Sequence, residues 1–447
     1  MNMQSRGVFA AGIALAGLVV TGAPAAAQEP DAPTYVRANV KTGGAEVRGP
    51  EWLNFDDAAV SDDGRFTVFS SNATDLVPGD TNTSWDVFLR DSVKDETTRI
   101  SVSSSGEQTT YGGAGLKSAY SGESSMSADG RYVVFTSHGP NLVADDTNNS
   151  SDIFLRDTVA GTTTRVSLTE TGAQADKQSY RPALSADGRF VAFVTWAALV
   201  AGDTDTRPDV YLRDLTSGRT VLVSESYDGS PVEVDGFGFD DLAITPGGRF
   251  VAFQTDATKL VADDTNGRAD AFVRDLQTGT TVRASVSDSG AQADAGSYWA
   301  SISADGRYVG FTSNAKNLVP GVTDGRYQAY VRDLAEGTTT LASVRDGAAY
   351  DDDFTEFAQI SPDGRHVAFQ VASFKDPYPT DIFIRDLDAQ TTRRVTVSPA
   401  GGHPNGESWG GRFSHNGRHL VFKSEASDLV DGDTNRSKDI FVRLNVG

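Results

Sequence analysis

Cysteine is absent from the 447 residues. That excludes disulfide scaffolds, thiolate metal sites, cysteine nucleophiles and a lipidated cysteine. Five histidines leave little material for a histidine-rich metal centre. Positive charge is scarce, with 39 Lys and Arg against 61 Asp and Glu and a net charge of −22. Such a surface is repelled by phosphate backbones, so no nucleic-acid partner is expected. Long apolar runs are missing beyond the first 20 residues. No later segment approaches the ~18 apolar residues of a membrane-spanning helix, and no span is expected in the mature chain. A glycine-rich phosphate loop and a dinucleotide fingerprint are also missing. What is present is 45 glycines and 38 % hydrophobic residues, enough for a globular body.

The N-terminus reads as an address. Arg6 precedes an apolar stretch from Val8 to Val20, and Ala25 to Ala27 supply small residues for cleavage. A secretory signal over residues 1–27 is expected, leaving residues 28–447 as one secreted, extracellular domain. An uncleaved anchor is the competing reading.

The rest is a sevenfold repeat. SDDGRFTVF (61–69), SADGRYVVF (127–135), SADGRFVAF (185–193), TPGGRFVAF (245–253), SADGRYVGF (303–311), SPDGRHVAF (361–369) and SHNGRHLVF (414–422) are copies of one element. Each is followed by a second element such as DVFLRD (86–91) or DIFVRL (439–444). After six of them comes a third, such as TTVRASV (280–286). All are short, rich in β-branched and aromatic residues, and bounded by turn formers, which is strand chemistry. With a short strand before each D-G-R turn, one repeat holds four strands, a to d from the centre outward. Consecutive apolar residues in strand b, as in Phe190–Phe193, imply sheets buried on both faces. Four strands repeated seven times predict an all-β, seven-bladed β-propeller of antiparallel blades. The last blade lacks strand d. An orphan copy of that strand, TYVRANV (34–40), stands at the N-terminus and is expected to complete it and close the ring.

The S-x-D-G-R element followed by D-φ-F-φ-R-D resembles the WD40-like (PD40) repeats of TolB-type propellers. The resemblance covers essentially the whole mature chain. It implies the fold strongly and function weakly, because that family includes envelope protein-binding modules, propeller parts of peptidases and relatives of oligosaccharide lyases. This chain lacks the small α/β domain that precedes the TolB propeller, and it lacks a hydrolase domain.

Seven repeats over about 420 residues average 60 each, against ~40–45 for common propeller repeats. The surplus lies in the b–c and d–a loops, which share one face, and that face is the expected binding surface. Five b–c loops repeat acidic and amide residues at i, i+2 and i+6: Asp80, Asn82, Asp86; Asp146, Asn148, Asp152; Asp203, Asp205, Asp209; Asp264, Asn266, Asp270; and Asp433, Asn435, Asp439. Oxygen ligands at that spacing suit Ca2+. The same residues also make an Asx-type turn that steers the chain into strand c.

The d–a loops bring aromatic and acidic residues to the channel mouth. Tyr180, Tyr298, Trp299 and Trp409 are candidate ligand-binding residues, with Asp240, Asp241 and Glu356 interleaved. Trp52, Phe237, Phe239, Tyr350 and Phe354 occupy related loops, as does the run Asp351–Asp353. Packing between blades is the competing role for the rings. Gly406–Gly410 matches G-x-S-x-G, but a nucleophile elbow needs a following helix, and a strand follows here. No catalytic set is assigned. The chain reads as a monomeric, non-enzymatic binding module for an envelope or extracellular protein or glycan, with no required cofactor beyond Ca2+ in the loops. An extracellular oligosaccharide lyase or hydrolase using mouth carboxylates is the alternative.

Overall fold

The computed structural model describes residues 34–47, 53–110, 120–230, 232, 234, 239–345, 348–349, 354–372, 380–435 and 437–446. The expected signal segment lies outside them. Among the described residues, seven antiparallel four-stranded sheets form a propeller. No helix there is long and apolar enough to cross a membrane.

Blade one consists of Leu53–Val60, Phe66–Ser71, Asp86–Asp91 and Glu96–Arg99. The inner strands of blades two to six are Ser121–Met126, Ser179–Leu184, Asp240–Ile244, Ser297–Ile302 and Phe354–Ile360. Blade seven joins Ser408–Phe413, Leu420–Ser424 and Asp439–Arg443 to Tyr35–Arg37, its outermost strand. The ring therefore closes as the repeats predict, with Val36 opposite Val442. Tyr35 adds a clasp: its hydroxyl donates to the carbonyls of Val395 at 2.7 Å and Val397 at 3.0 Å in blade six. A small hairpin pairs Val344–Arg345 with Ala348–Ala349 just after strand d of blade five, where blades one, two and four make a single bridge, Val102 to Gln108, Leu168 to Gln174 and Val286 to Gln292.

The repeated motif does two jobs. In S-x-D-G-R, Ser61 donates to Asp63 at 2.6 Å and accepts from the Phe66 amide at 2.9 Å, while Gly64 supplies φ of 70°. Arg65 then grips Asp91 of strand c at 2.8 and 2.6 Å and lies 4.5 Å over the Phe66 ring. The ring itself fills the space left by the glycine of the next blade. A Cβ on Gly130 would fall 2.5 Å from Phe66, and one on Gly188 would fall 2.5 Å from Tyr132. His419 stands in the aromatic position of blade seven and packs on Gly64 of blade one. The core is accordingly a set of clusters between adjacent blades, as where Val134 and Ile153 of blade two meet Leu184, Val191 and Tyr211 of blade three.

Candidate functional site

Two sets of side chains recur from blade to blade: one on the inner strands at the channel, the other in the b–c loops.

Each inner strand is broken by a bulge. Pairing of strands a and b slips between Gly122 and Ser125, Tyr180 and Ala183, Asp240 and Ala243, Tyr298 and Ser301, Glu356 and Gln359, and Trp409 and Arg412. The residue at the bulge is left-handed in all six: Glu123 (φ 50°), Arg181 (53°), Asp241 (45°), Trp299 (55°), Phe357 (56°) and Gly410 (77°). Five of these are not glycine, and each such residue costs ~1–2 kcal/mol over an ordinary strand conformation. The bulge re-aims one side chain per blade. It also exposes an amide that the preceding blade captures. The Arg181 amide donates to Glu123 at 2.8 Å, the Gly410 amide donates to Gln370 at 3.0 Å, and the Trp299 amide donates to Gln254.

Three of these residues, Glu123, Arg181 and Asp241, border a small channel cavity of about 170 Å³ together with Ser125 and Arg412. Arg412 of blade seven crosses to Asp241 of blade four, at 3.5 Å. Beside the charged part, Trp299 and Phe357 lie with ring centroids 4.8 Å apart. Tyr298 contacts both Trp299 and Tyr327, edge-on to the latter at 5.9 Å.

The sequence-derived mouth residues divide. Tyr298, Trp299 and Asp241 belong to this inner ring. Tyr180 packs against the apolar cluster between blades three and four. Trp409 lies under the Lys438 ammonium, 4.4 Å from the ring centroid. Glu356 accepts from Gln370 at 2.8 Å, and burial raises its carboxyl above the usual range. Phe239 is fully buried and edge-on to Phe253, so it is a core residue. The Asp240 side chain, Trp52, Phe237, Tyr350 and Asp351–Asp353 lie outside the described residues. Glu123, Arg181, Phe357 and Arg412 were missed. The signal for the first three is one variable column in an otherwise repetitive frame: Glu123, Arg181, Asp241, Trp299, Phe357 and Gly410 each stand seven residues before the D-G-R glycine, whereas Arg412 lies outside that column. Ser408 of G-E-S-W-G is fully buried against Ser424 at 2.9 Å, as a strand residue.

The b–c loops make Asx turns. Asn82 accepts from the Ser84 amide at 3.0 Å and donates to Asp86 at 3.1 Å and the Thr109 carbonyl at 3.2 Å, stitching this loop to the d–a loop. Asn148 and Asn266 repeat the arrangement with Asp152 and Asp270. In four blades an arginine from strand d lies against the two carboxylates. Arg99 is 3.3 Å from Asp80 and 3.6 Å from Asp86, and Arg165 is 3.3 Å from both Asp146 and Asp152. Arg283 is 3.3 Å from Asp264 and 3.7 Å from Asp270. Arg37 of the closing strand is 3.1 Å from Asp433 and 3.7 Å from Asp439. Burial still wins over the arginine at the inner carboxylate, pushing Asp86, Asp152 and Asp270 up to about 6. Blade three differs. Its carboxylates Asp203, Asp205 and Asp209 stand together, and burial with the two neighbouring charges pushes Asp209 up to about 8.

No protein-family model and no curated protein sequence matches the chain. Solved structures do match. An oligogalacturonate lyase in complex with manganese superposes with a TM-score of 0.52 at 11% identity, covering 92% of this chain and 96% of that one. The oligogalacturonate lyase of Vibrio parahaemolyticus gives 0.51 at 11% identity, over 92% and 98%. TolB from Acinetobacter baumannii gives 0.40 at 16% identity, over 90% and 81%. The likeness is one of fold, and at 11% identity the fold alone assigns no role.

Proposed function

We propose that this chain is an exported, non-enzymatic binding module that receives an extracellular or envelope protein or glycan at the channel mouth, on the b–c and d–a loop face. The observation that carries the reading is the bulge ring. Five non-glycine residues are held left-handed at one column; three of them, Glu123, Arg181 and Asp241, border one cavity, and the other two, Trp299 and Phe357, pack against each other. Strain kept at one column across five blades is the mark of a functional position. The aromatic half (Tyr298, Trp299, Phe357) offers flat apolar surface with polar edges. The charged half (Glu123, Arg181, Asp241, Arg412) offers donors and acceptors for hydroxyls and carboxylates. Residues 1–27 act as the export signal, which the N-terminal mass of protein recovered from outside the cytoplasm tests.

The second reading, an oligosaccharide lyase or hydrolase, is supported by two arginines and two carboxylates sharing one cavity. Against it, Asp241 is engaged by Arg412 and Glu356 by Gln370, in different blades. The deciding experiment immobilises the exported protein and its Trp299→Ala and Arg181→Ala variants. Each is exposed to envelope proteins and cell-wall glycans, and ultraviolet absorbance and reducing ends of added oligosaccharides are followed. Capture by the parent, weakened ~10-fold or more in the variants without turnover, supports the module. Turnover lost in the variants establishes the enzyme. Equal capture by all three removes the ring from the reading.

A further inference from the structure

The seven blades form an internal comparison at one position. The residue that opens the D-φ-F-φ-R-D element in strand c and the last paired residue of strand d stand on facing strands. In blades one, two, four, six and seven, the first is an aspartate and the second an arginine. The pairs are Asp86 with Arg99, Asp152 with Arg165, Asp270 with Arg283, Asp381 with Arg394 at 3.5 Å, and Asp439 with Arg37. In blade five both are neutral: Gln328 begins strand c, and Leu341 takes the arginine position opposite Tyr330. Acid and arginine thus appear or disappear together in six blades.

Blade three breaks the pattern. Asp209 is kept, but Leu222 takes the arginine position opposite Tyr211. At the same time the loop amide, Asn in four siblings, becomes Asp205. One cation is lost and one anion gained at the same point. The three carboxylates each offer an oxygen within 4.8 Å of the others. Asp209 is 4% exposed. One of its oxygens accepts from Ser224 at 2.6 Å, and among the described residues the other has no hydrogen-bond donor or ion-pair partner. Asp203 accepts from the Tyr211 hydroxyl and from the Asp205 amide at 3.2 Å, and Asp205 accepts from the Arg207 amide at 2.8 Å. These contacts fix the carboxylates without neutralising them. The neighbouring cations are placed otherwise: the Arg207 guanidinium donates to the Val234 carbonyl at 3.4 Å, and Arg219 borders the same cavity without an ion pair to any of the three among the described residues. Glu225 is taken by Arg274. A cavity of about 350 Å³ opens on the group, bordered by Asp203, Asp205, Asp209, Leu222 and Ser224.

We infer that Asp203, Asp205 and Asp209 bind one divalent hard cation, of which Ca2+ is the type, in the space that arginine fills in the sibling blades. Three carboxylates with a divalent ion carry the same net charge as two carboxylates with a guanidinium. All-oxygen donors select Ca2+, Mg2+ or Mn2+ over softer metals. The cavity has room for the waters that complete the shell. The site is single because, of the five blades that carry the acidic loop, only blade three lacks the internal cation. It stands whatever the channel mouth binds.

The test uses the full exported chain, stripped with chelator, and Ca2+ alone as the probe. Isothermal titration is expected to give one site per chain. Ca2+ at a hundredfold over its dissociation constant is expected to raise Tm by ~3 °C. Leu222→Arg installs the sibling cation and is expected to abolish the binding while raising the Tm of the metal-free protein. Asp205→Asn, which restores the sibling amide, is expected to weaken binding at least tenfold without unfolding the protein. No heat and no Tm shift with Ca2+, Mg2+ or Mn2+ overturns the inference. So does binding that survives intact in Leu222→Arg, or a stoichiometry near five.

Discussion

Arg283→Leu reproduces in blade four the arginine position that blade three has naturally. The Arg283 side chain is 3% exposed, and the facing Asp264 and Asp270 side chains are 1% and 0% exposed. Arg283 also donates to Gln292 at 3.0 Å and to the Asp263 carbonyl at 3.2 Å. Removing one member of such a group leaves buried charge uncompensated, at a cost of ~3–5 kcal/mol. For a cooperative unit of this length, the per-residue unfolding entropy converts that to a fall in Tm of ~3–6 °C at pH 7. The fall should shrink as pH is lowered towards 4, because the stranded carboxylates take up protons in the folded state. Asp270→Asn in the same background should recover most of the loss, giving a coupling energy of more than ~1 kcal/mol in a double-mutant cycle. The assay is thermal unfolding by circular dichroism with refolding checked. A Tm change under ~1 °C, or additive effects of the two substitutions, would refute the view that the arginine is the internal counter-ion of these loops.

Other outcomes follow from the same geometry. Gly188→Ala should lower Tm by several degrees, because its Cβ meets Tyr132 at 2.5 Å and φ is +72°; an unchanged Tm would show that the interblade contact is soft. Deleting residues 34–40 opens the ring and strips Arg37 from Asp433 and Asp439, so the protein should aggregate or lose its cooperative transition, and an intact transition would refute strand exchange as the closure. Two opposite pH trends are expected. Asp91, Asp157 and Asp275, held down to about 2 chiefly by their hydrogen-bonded arginines against an ordinary 3.8, add stability above pH 4 that disappears as pH falls towards 2. Asp86, Asp152 and Asp270, pushed up to about 6 by burial, add stability below pH 4 that is lost as pH rises to 6. Tm should therefore peak near pH 4–5, and a Tm rising steadily from pH 4 to 7 would contradict the burial of these carboxylates.

Blade number, strand count and ring closure were written in the sequence because each rests on local chemistry. The D-G-R turn needs only its own serine, aspartate and glycine, and the strands announce themselves by β-branched and aromatic runs. The orphan TYVRANV (34–40) matches TTVRASV (280–286) at five of seven positions. The aromatic after each D-G-R was equally visible, but its purpose was not: it fills the next blade's glycine, a contact about 60 residues away in the chain. The Asp-x-Asn loops were found by spacing alone, whereas their counter-ions were not, because Arg99 reaches Asp80 only through the c–d strand register. The same register puts Leu222 where a guanidinium would stand, which separates one loop from four of identical spacing. The bulge ring lay furthest from view. Left-handed Trp299 and Phe357 contradict their own strand propensities, and only pairing to strand b and to the preceding blade's side chains holds them there. Local sequence therefore decided the scaffold, and tertiary contact decided which of its repeated positions differ in charge, strain and aim.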